Sequence, residues 1–335
     1  MGYSIDSEGT VALGARKVAV PRTVSAEARA YLANPPWKGE ADHSGPRAMW
    51  EFRETFDAQL AGLNQFAASL YPVTLEKKVI GGIPCQIVSP PEIPASHRGR
   101  VLISLHAGGF VLGAPSLVEA IPVANLARIP VIAVDYRLAP EHAFPAAVDD
   151  VIAVYREVLK DHAPSNVGIY GSSAGGFITG QTVMRLQREK LPLPACCGIF
   201  SAGGNLADFG DSEQIYTLSG FWGDALLPLD HPLSEVRAYL GGANASDPLV
   251  SPVLGDLREF PPTLLVTGTR DAMLSSATLL HRALRRAGAS AELFVFEAMP
   301  HSHWFALHLP EAREALQIMS GFFEEKLLGS SRPRS

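Results

Sequence analysis

Residues 171–176 read Gly171-Ser172-Ser173-Ala174-Gly175-Gly176, directly after the apolar run Val167-Gly168-Ile169-Tyr170 and directly before a helical pattern. This is Gly-x-Ser-x-Gly between a strand and a helix. In that context the serine sits on a turn so sharp that only glycine fits two positions to either side. The frame selects Ser173, not Ser172, as a nucleophile. The helix start behind it offers free backbone N–H groups and the positive end of a helix dipole. A second block, His106-Ala107-Gly108-Gly109-Phe110, follows the apolar run Val101–Leu105. Its glycines let the backbone approach a ligand closely. The amides of Gly108, Gly109 and Ala174 are then candidates for an oxyanion hole, each donor worth about 10²–10³ in rate. A plain strand-to-loop turn is the bland alternative.

A serine nucleophile needs a base, and the base needs an orienting group. Asp271 stands in Gly268-Thr269-Arg270-Asp271, just past the apolar run Thr263–Thr267. His301 and His303 stand in Met299-Pro300-His301-Ser302-His303-Trp304, just past the run Glu292–Phe296. Both loops leave C-terminal strand ends, where open α/β sheets hold their ligands, and the order Ser, Asp, His is that of an α/β-hydrolase. Asp271 also suits the N-cap of the helix after it. By residue type alone either histidine serves as base. A zinc site at His301, His303 and His308 is disfavoured, because no acidic or cysteine partner stands at ligand spacing.

These residues need a scaffold that brings strand ends together. Apolar or alternating runs occur at Val73–Ile80, Cys85–Val88, Val101–Leu105, Val131–Val134, Val167–Tyr170, Cys197–Phe200, Thr263–Thr267 and Glu292–Phe296. Helical patterns over Ala146–Lys160, Gly175–Arg188 and Ser275–Ala287 separate several of them. That alternation predicts an eight-stranded, mostly parallel sheet covered by helices on both faces. The first two runs, joined through Gly81-Gly82-Ile83-Pro84, read as an antiparallel hairpin at one edge. Between Val24 and Tyr71 the pattern is helical but broken, with Met49, Phe52, Phe56, Leu60, Leu63 and Phe66 forming one apolar stripe. Residues 201–258 are too long for a structureless loop and are expected to carry helices of their own. The two segments are expected to pack as a lid, with Trp37, Trp50, Phe52, Phe56, Phe221 and Trp222 mainly in packing roles. From position alone, Asn205, Asp208 and Phe209 are candidates to face the leaving-alcohol side.

Composition sets the outer limits. The chain has 335 residues, a net charge of −6, 47% hydrophobic and 19% charged residues, which permits a sizeable core and argues against disorder. The mildly acidic balance, without blocks of like charge, argues against a nucleic-acid or anionic-membrane partner. Thirty glycines and 26 prolines imply many turns and exclude a helical bundle. Three cysteines, Cys85, Cys196 and Cys197, cannot build a disulfide framework and suit a reducing compartment. The first residues lack the basic and apolar regions of a signal peptide, and no apolar stretch approaches the ~18 residues of a membrane span. The expected location is cytoplasmic.

The sequence resembles the hormone-sensitive-lipase-like (bacterial family IV) carboxylesterases of the α/β-hydrolase superfamily. The matching pieces are His106–Phe110, Asp135-Tyr136-Arg137-Leu138-Ala139-Pro140-Glu141 with Phe144-Pro145-Ala146-Ala147, Gly171–Gly176, and Tyr239-Leu240-Gly241-Gly242 running to Asp247-Pro248-Leu249-Val250-Ser251-Pro252. The resemblance implies an α/β-hydrolase core over 71–200 and 259–328, a helical cap from 1–70 and 201–258, and a loose tail at 329–335. It implies Ser173 as nucleophile, Asp271 as orienter, His301 as base, and Gly108, Gly109 and Ala174 as oxyanion donors, with His106 and Glu141 in supporting positions. It further implies short- to medium-chain acyl esters as small-molecule substrates, no cofactor and no metal, and a homodimer through the last strand and C-terminal helix. Lactone, amide or formamide hydrolysis uses the same residues, and a non-catalytic ligand receptor shares the fold. Three positions depart from the pattern: Ala107 replaces the first glycine of the oxyanion block, Ser172 stands where many relatives carry Asp, and His303-Trp304-Phe305 mimics the ending expected at His301.

Overall fold

The structure, a computed structural model, describes residues 4–5, 11–12, 18–34, 48–113, 116–220 and 226–329. Eight strands form its central sheet: β1 (Thr74–Ile80), β2 (Ile83–Ser89), β3 (Val101–Leu105), β4 (Val131–Val134), β5 (Val167–Ser172), β6 (Cys196–Phe200), β7 (Thr263–Gly268) and β8 (Ala291–Phe296). Their order is β8-β7-β6-β5-β3-β4-β2-β1. The β1–β2 and β2–β4 pairs are antiparallel and all other pairs are parallel. The hairpin between β1 and β2 turns on Gly81 and Gly82, both at positive φ (59° and 85°), the geometry a two-residue hairpin needs to match strand twist.

Strands β3 to β7 are buried at every position. This is why their sequences are continuous apolar runs: both faces are covered, so no polar face alternates. One face carries α4 (Ala146–Val158), α5 (Ala174–Arg188) and α7 (Leu274–Arg286). The other carries α3 (Ala120–Ala127) and α8 (Pro310–Leu328), with α1 (Ala26–Ala33) and α2 (Arg53–Leu70) outside them. Ser25 caps α1 through the amide of Ala28 (2.9 Å) and also donates to Glu311 of α8 (2.9 Å), docking the first helix on the last. The cysteines Cys85, Cys196 and Cys197 are free and buried. Burial pushes the Cys85 and Cys196 thiols up to about 12, so they stay protonated and unreactive.

Two expectations need correction. The apolar stripe on α2 is only partly inward: Leu60 is buried, whereas Phe52, Leu63 and Phe66 are exposed, because α2 lies outside α3 and reaches the core mainly through Leu60 and Ala67. The segment 201–258 does carry helical structure, but among the described residues it amounts to one six-residue helix, α6 (Glu235–Leu240), and short 3-10 helices at Asp211–Gln214 and Pro252–Leu254. Most of that segment is irregular, held by Asx-type turns at Asn205, Asp208, Asn244 and Asp247. Trp37, Phe221 and Trp222 lie outside the described residues.

Candidate active site

Ser173 stands between the last residue of β5 and the first of α5, at φ 53° and ψ −122°. A non-glycine residue pays strain of ~1–3 kcal/mol for such a backbone. The turn holds because its surroundings leave it no alternative. The Ser173 amide donates to the carbonyl of Phe200 at the end of β6 (2.8 Å). A Cβ on Gly175 would sit 2.0 Å from the carbonyl oxygen of Leu105, and one on Gly171 would sit 2.4 Å from the carbonyl carbon of Gly175. Both glycines are therefore demanded by close backbone approach, not by positive φ.

The block after β3 is built the same way. Gly108 has φ 131°, and a Cβ there would lie 2.2 Å from the carbonyl oxygen of Leu112. Gly109 has φ 58° and faces Glu235 of α6 and Met49, whose Cγ and Cε lie 3.4 and 3.5 Å from the place of a Cβ. Among the described residues the amides of Gly108 and Gly109 donate no backbone hydrogen bond, and Ala174, as the first residue of α5, has no partner within its helix. Backbone N–H groups without partners are the kind of donor from which an oxyanion hole is built.

His106 and the segment after β4 support this loop. The His106 ring stacks on Tyr136 (centroids 4.2 Å apart, 6° between planes) and its Nδ1 donates to the Ala107 carbonyl at 2.8 Å. The Tyr136 hydroxyl donates to the His106 carbonyl at 2.7 Å. Burial drives the His106 ring down to about 4, so it is neutral. Arg137 closes a two-pronged pair with Asp150 of α4 (2.9 and 2.7 Å). Glu141 meets Arg53 of α2 in a second two-pronged pair (2.8 Å on each side), while Arg53 also donates to the carbonyls of Val111 and Ala139. The pair commits the Glu141 carboxylate to Arg53. It fastens α2 to the segment after β4, and the Arg53 bond to Val111 ties α2 to the loop after β3.

Asp271 follows β7 and is fully buried. Its Oδ1 accepts from His301 Nδ1 (2.8 Å) and from the Met273 amide (2.9 Å), and its Oδ2 accepts from Thr267 Oγ1 (2.8 Å) and Ser201 Oγ. Burial alone would raise this carboxyl. The charge of His301 and its hydrogen bond, with those of Ser201 and Met273, outweigh burial and hold it below its ordinary value. Asp271 is thus an ionised acceptor of the imidazole, and its bond to the Met273 amide turns the chain into α7 as well. His303 goes elsewhere: its ring lies against Phe296 and Trp304, 4.8 and 5.2 Å between centroids, and burial lowers it to about 4. His308 faces Tyr31. The three histidines do not converge, and among the described residues no group of three metal-ligating side chains gathers. The structure brings His301 to Asp271, with no hydrogen bond between His301 and the Ser173 hydroxyl. Such contacts often tighten only when substrate is bound.

A family model described as the alpha/beta hydrolase fold matches residues 102–305. An acetyl-hydrolase of Streptomyces hygroscopicus is 33% identical over 233 residues, 68% of this chain and 77% of that protein. The crystal structure of the esterase E25 superposes with a TM-score of 0.81 at 31% identity, covering 94% of this chain and 98% of that one. A crystallised esterase of the bacterial hormone-sensitive lipase family gives a TM-score of 0.71 at 29% identity, over 85% and 94% of the two chains. The chain belongs to the hormone-sensitive-lipase-like α/β-hydrolases. It is a carboxylic ester hydrolase.

Sequence reasoning missed two residues of this hydrolase. Ser201, just past β6, donates to Asp271 and accepts from the Ser302 amide (3.0 Å), so it joins the two loops that carry Asp271 and His301. Its position after a strand end was the available signal. Glu119, at the start of α3, is buried and accepts both from Ser172 Oγ and from Trp304 Nε1. Nothing in its local sequence marks it. Of the residues guessed for the alcohol side, Phe209 packs edge-on against Phe177 (5.6 Å), whereas Asn205 and Asp208 bond to their own turns. Among the described residues no helix of this hydrolase is long and apolar enough to cross a membrane.

Proposed function

We propose that this hydrolase cleaves short- to medium-chain acyl esters through an acyl-enzyme on Ser173. The observations that carry the reading are the Asp271–His301 hydrogen bond and a serine held at positive φ on the strand-to-helix turn. With Asp271 ionised, the shared proton resides on His301 Nδ1, which leaves Nε2 as a lone-pair acceptor. Ser173 Oγ attacks the ester carbonyl as its proton passes to Nε2. The carbonyl oxygen becomes an oxyanion held by the amides of Gly108, Gly109 and Ala174. The tetrahedral adduct collapses, the C–O bond to the alcohol breaks, and the Nε2 proton goes to the departing oxygen. Water then repeats the sequence on the acyl-enzyme and releases the carboxylic acid.

The acyl preference draws on a relative whose name is acetyl-hydrolase. Residues 1–70 and 201–258 serve as the cap: Met49 from the first and Glu235 from the second meet over Gly109. The test is intact mass spectrometry after exposure to a fluorophosphonate. A single adduct on Ser173, absent from Ser173→Ala, is the expected result, with kcat for p-nitrophenyl acetate lowered by about 10⁶ in the variant. A Ser173→Ala enzyme that keeps a tenth of the wild-type turnover sinks the reading.

A further inference from the structure

Glu119 is a carboxylate in a place that disfavours carboxylates. It is 4% exposed, and among the described residues it has no salt-bridge partner. Both of its side-chain hydrogen bonds converge on one oxygen, Oε1. One comes from the hydroxyl of Ser172, the neighbour of Ser173 on the nucleophile turn, and the other from the indole N–H of Trp304, three residues past His301. The three partners are distant in sequence: Glu119 is 53 residues from Ser172 and 185 from Trp304. A purely structural tether needs no ionisable group, since an amide or a hydroxyl accepts the same bonds without the desolvation penalty of a buried charge.

The titratable groups facing Glu119 are Tyr170 from β5 and His301 from the loop after β8. Burial keeps the Tyr170 phenol protonated, so the cation that forms on His301 is the charge available to interact with Glu119. Burial lifts the Glu119 carboxyl to about 7, with the hydrogen bonds from Ser172 and Trp304 and the charge of His301 pulling the other way.

Resting on the reading of Ser173 and His301 given above, we infer that Glu119 is a positioning residue. Its carboxyl group clamps the nucleophile turn to the histidine loop through Ser172 and Trp304. Asp271 orients His301 from one side, and Glu119 fixes the distance between its loop and the serine from the other.

The experiment compares wild type with Glu119→Ala, Glu119→Gln and Trp304→Phe. It measures kcat and KM for p-nitrophenyl acetate across pH, the rate of fluorophosphonate labelling at Ser173, and the thermal midpoint of each variant. Loss of the clamp in Glu119→Ala should lower kcat and the labelling rate together by ~10²-fold with KM within about twofold, the penalty of a displaced reacting group. Glu119→Gln keeps an acceptor oxygen and should recover part of that rate. If Glu119→Ala does not fold, Trp304→Phe removes one of the two tethers and should lower kcat by about tenfold. A folded Glu119→Ala, or a folded Trp304→Phe, with wild-type kcat overturns the inference. Wild-type enzyme that takes no label on Ser173 instead overturns the reading of the site itself.

Discussion

Asp271 shows how one buried side chain is committed to one task. Four donors surround it, so its charge survives in an environment that would otherwise neutralise it. Asp271→Asn keeps the shape but exchanges an acceptor-only group for one that also donates, which favours the wrong imidazole tautomer. Its kcat is expected to fall by about 10⁴, measurable in steady-state ester hydrolysis, with labelling at Ser173 slowed in proportion. Ser201 acts one step further out. Ser201→Ala removes a donor to Asp271 and leaves the Ser302 amide without its acceptor (3.0 Å). Denaturant unfolding should record a loss of about 1–3 kcal/mol, the cost of stranding buried polar groups.

Elements meet at the site through backbone contacts that glycine permits and through one arginine. Gly175 lets α5 start directly beneath β3. With backbone oxygen 2.0 Å from the position of a Cβ, Gly175→Ala cannot be absorbed by rotating a side chain. We expect at least about 3 kcal/mol of destabilisation or no soluble protein, and wild-type solubility with wild-type kcat would contradict that geometry. Arg53 and Glu141 are unequal partners. Their ion pair is largely exposed, with 27% and 54% of the side chains accessible, so Glu141→Gln should cost under about 1 kcal/mol. Arg53 also satisfies the carbonyls of Val111 and Ala139. Arg53→Met should therefore destabilise more than Glu141→Gln in the same denaturant titration, and should loosen α2 above the oxyanion loop.

Across the whole molecule, buried histidines and a buried glutamate set opposing pH dependences. His106 and His303 ionise near 6.5 in an open chain and at about 4 when folded. Their contribution is complete above 6.5 and is lost as pH falls toward 4, because the unfolded chain binds those protons first. Glu119 runs the other way: its carboxyl is raised from 4.5 to about 7, so its contribution is complete below 4.5 and is lost as pH rises through 7. Of the groups moved furthest between pH 4 and 7, two histidines oppose one glutamate, and Asp271 adds a further loss below 3.8. The thermal midpoint should therefore be lower at pH 4.5 than at pH 6.5. His303→Phe should flatten that fall, and Glu119→Gln should steepen it. A calorimetric series in which neither variant changes the slope would contradict the assignment of these groups.

What could be read from the chain was local. Each strand from β3 to β7 announces itself as a continuous apolar run because burial on both faces leaves a signature within five or six residues. Gly171, Ser173 and Gly175 are equally legible, since a turn that tight admits few residue types. The partners of those residues were a different matter. His301 and His303 differ by two positions and look alike in sequence, yet one meets Asp271 and the other lies between Phe296 and Trp304. Glu119, Ser172 and Trp304 come from three separate elements, as do Ser201, Asp271 and the Ser302 amide. Glu141 carries a family motif but is spent on Arg53. Short-range pattern reports how a segment is buried and how it turns; which side chains share a buried oxygen depends on strand order, which brings the ends of β3, β5, β6, β7 and β8 to one edge of the sheet.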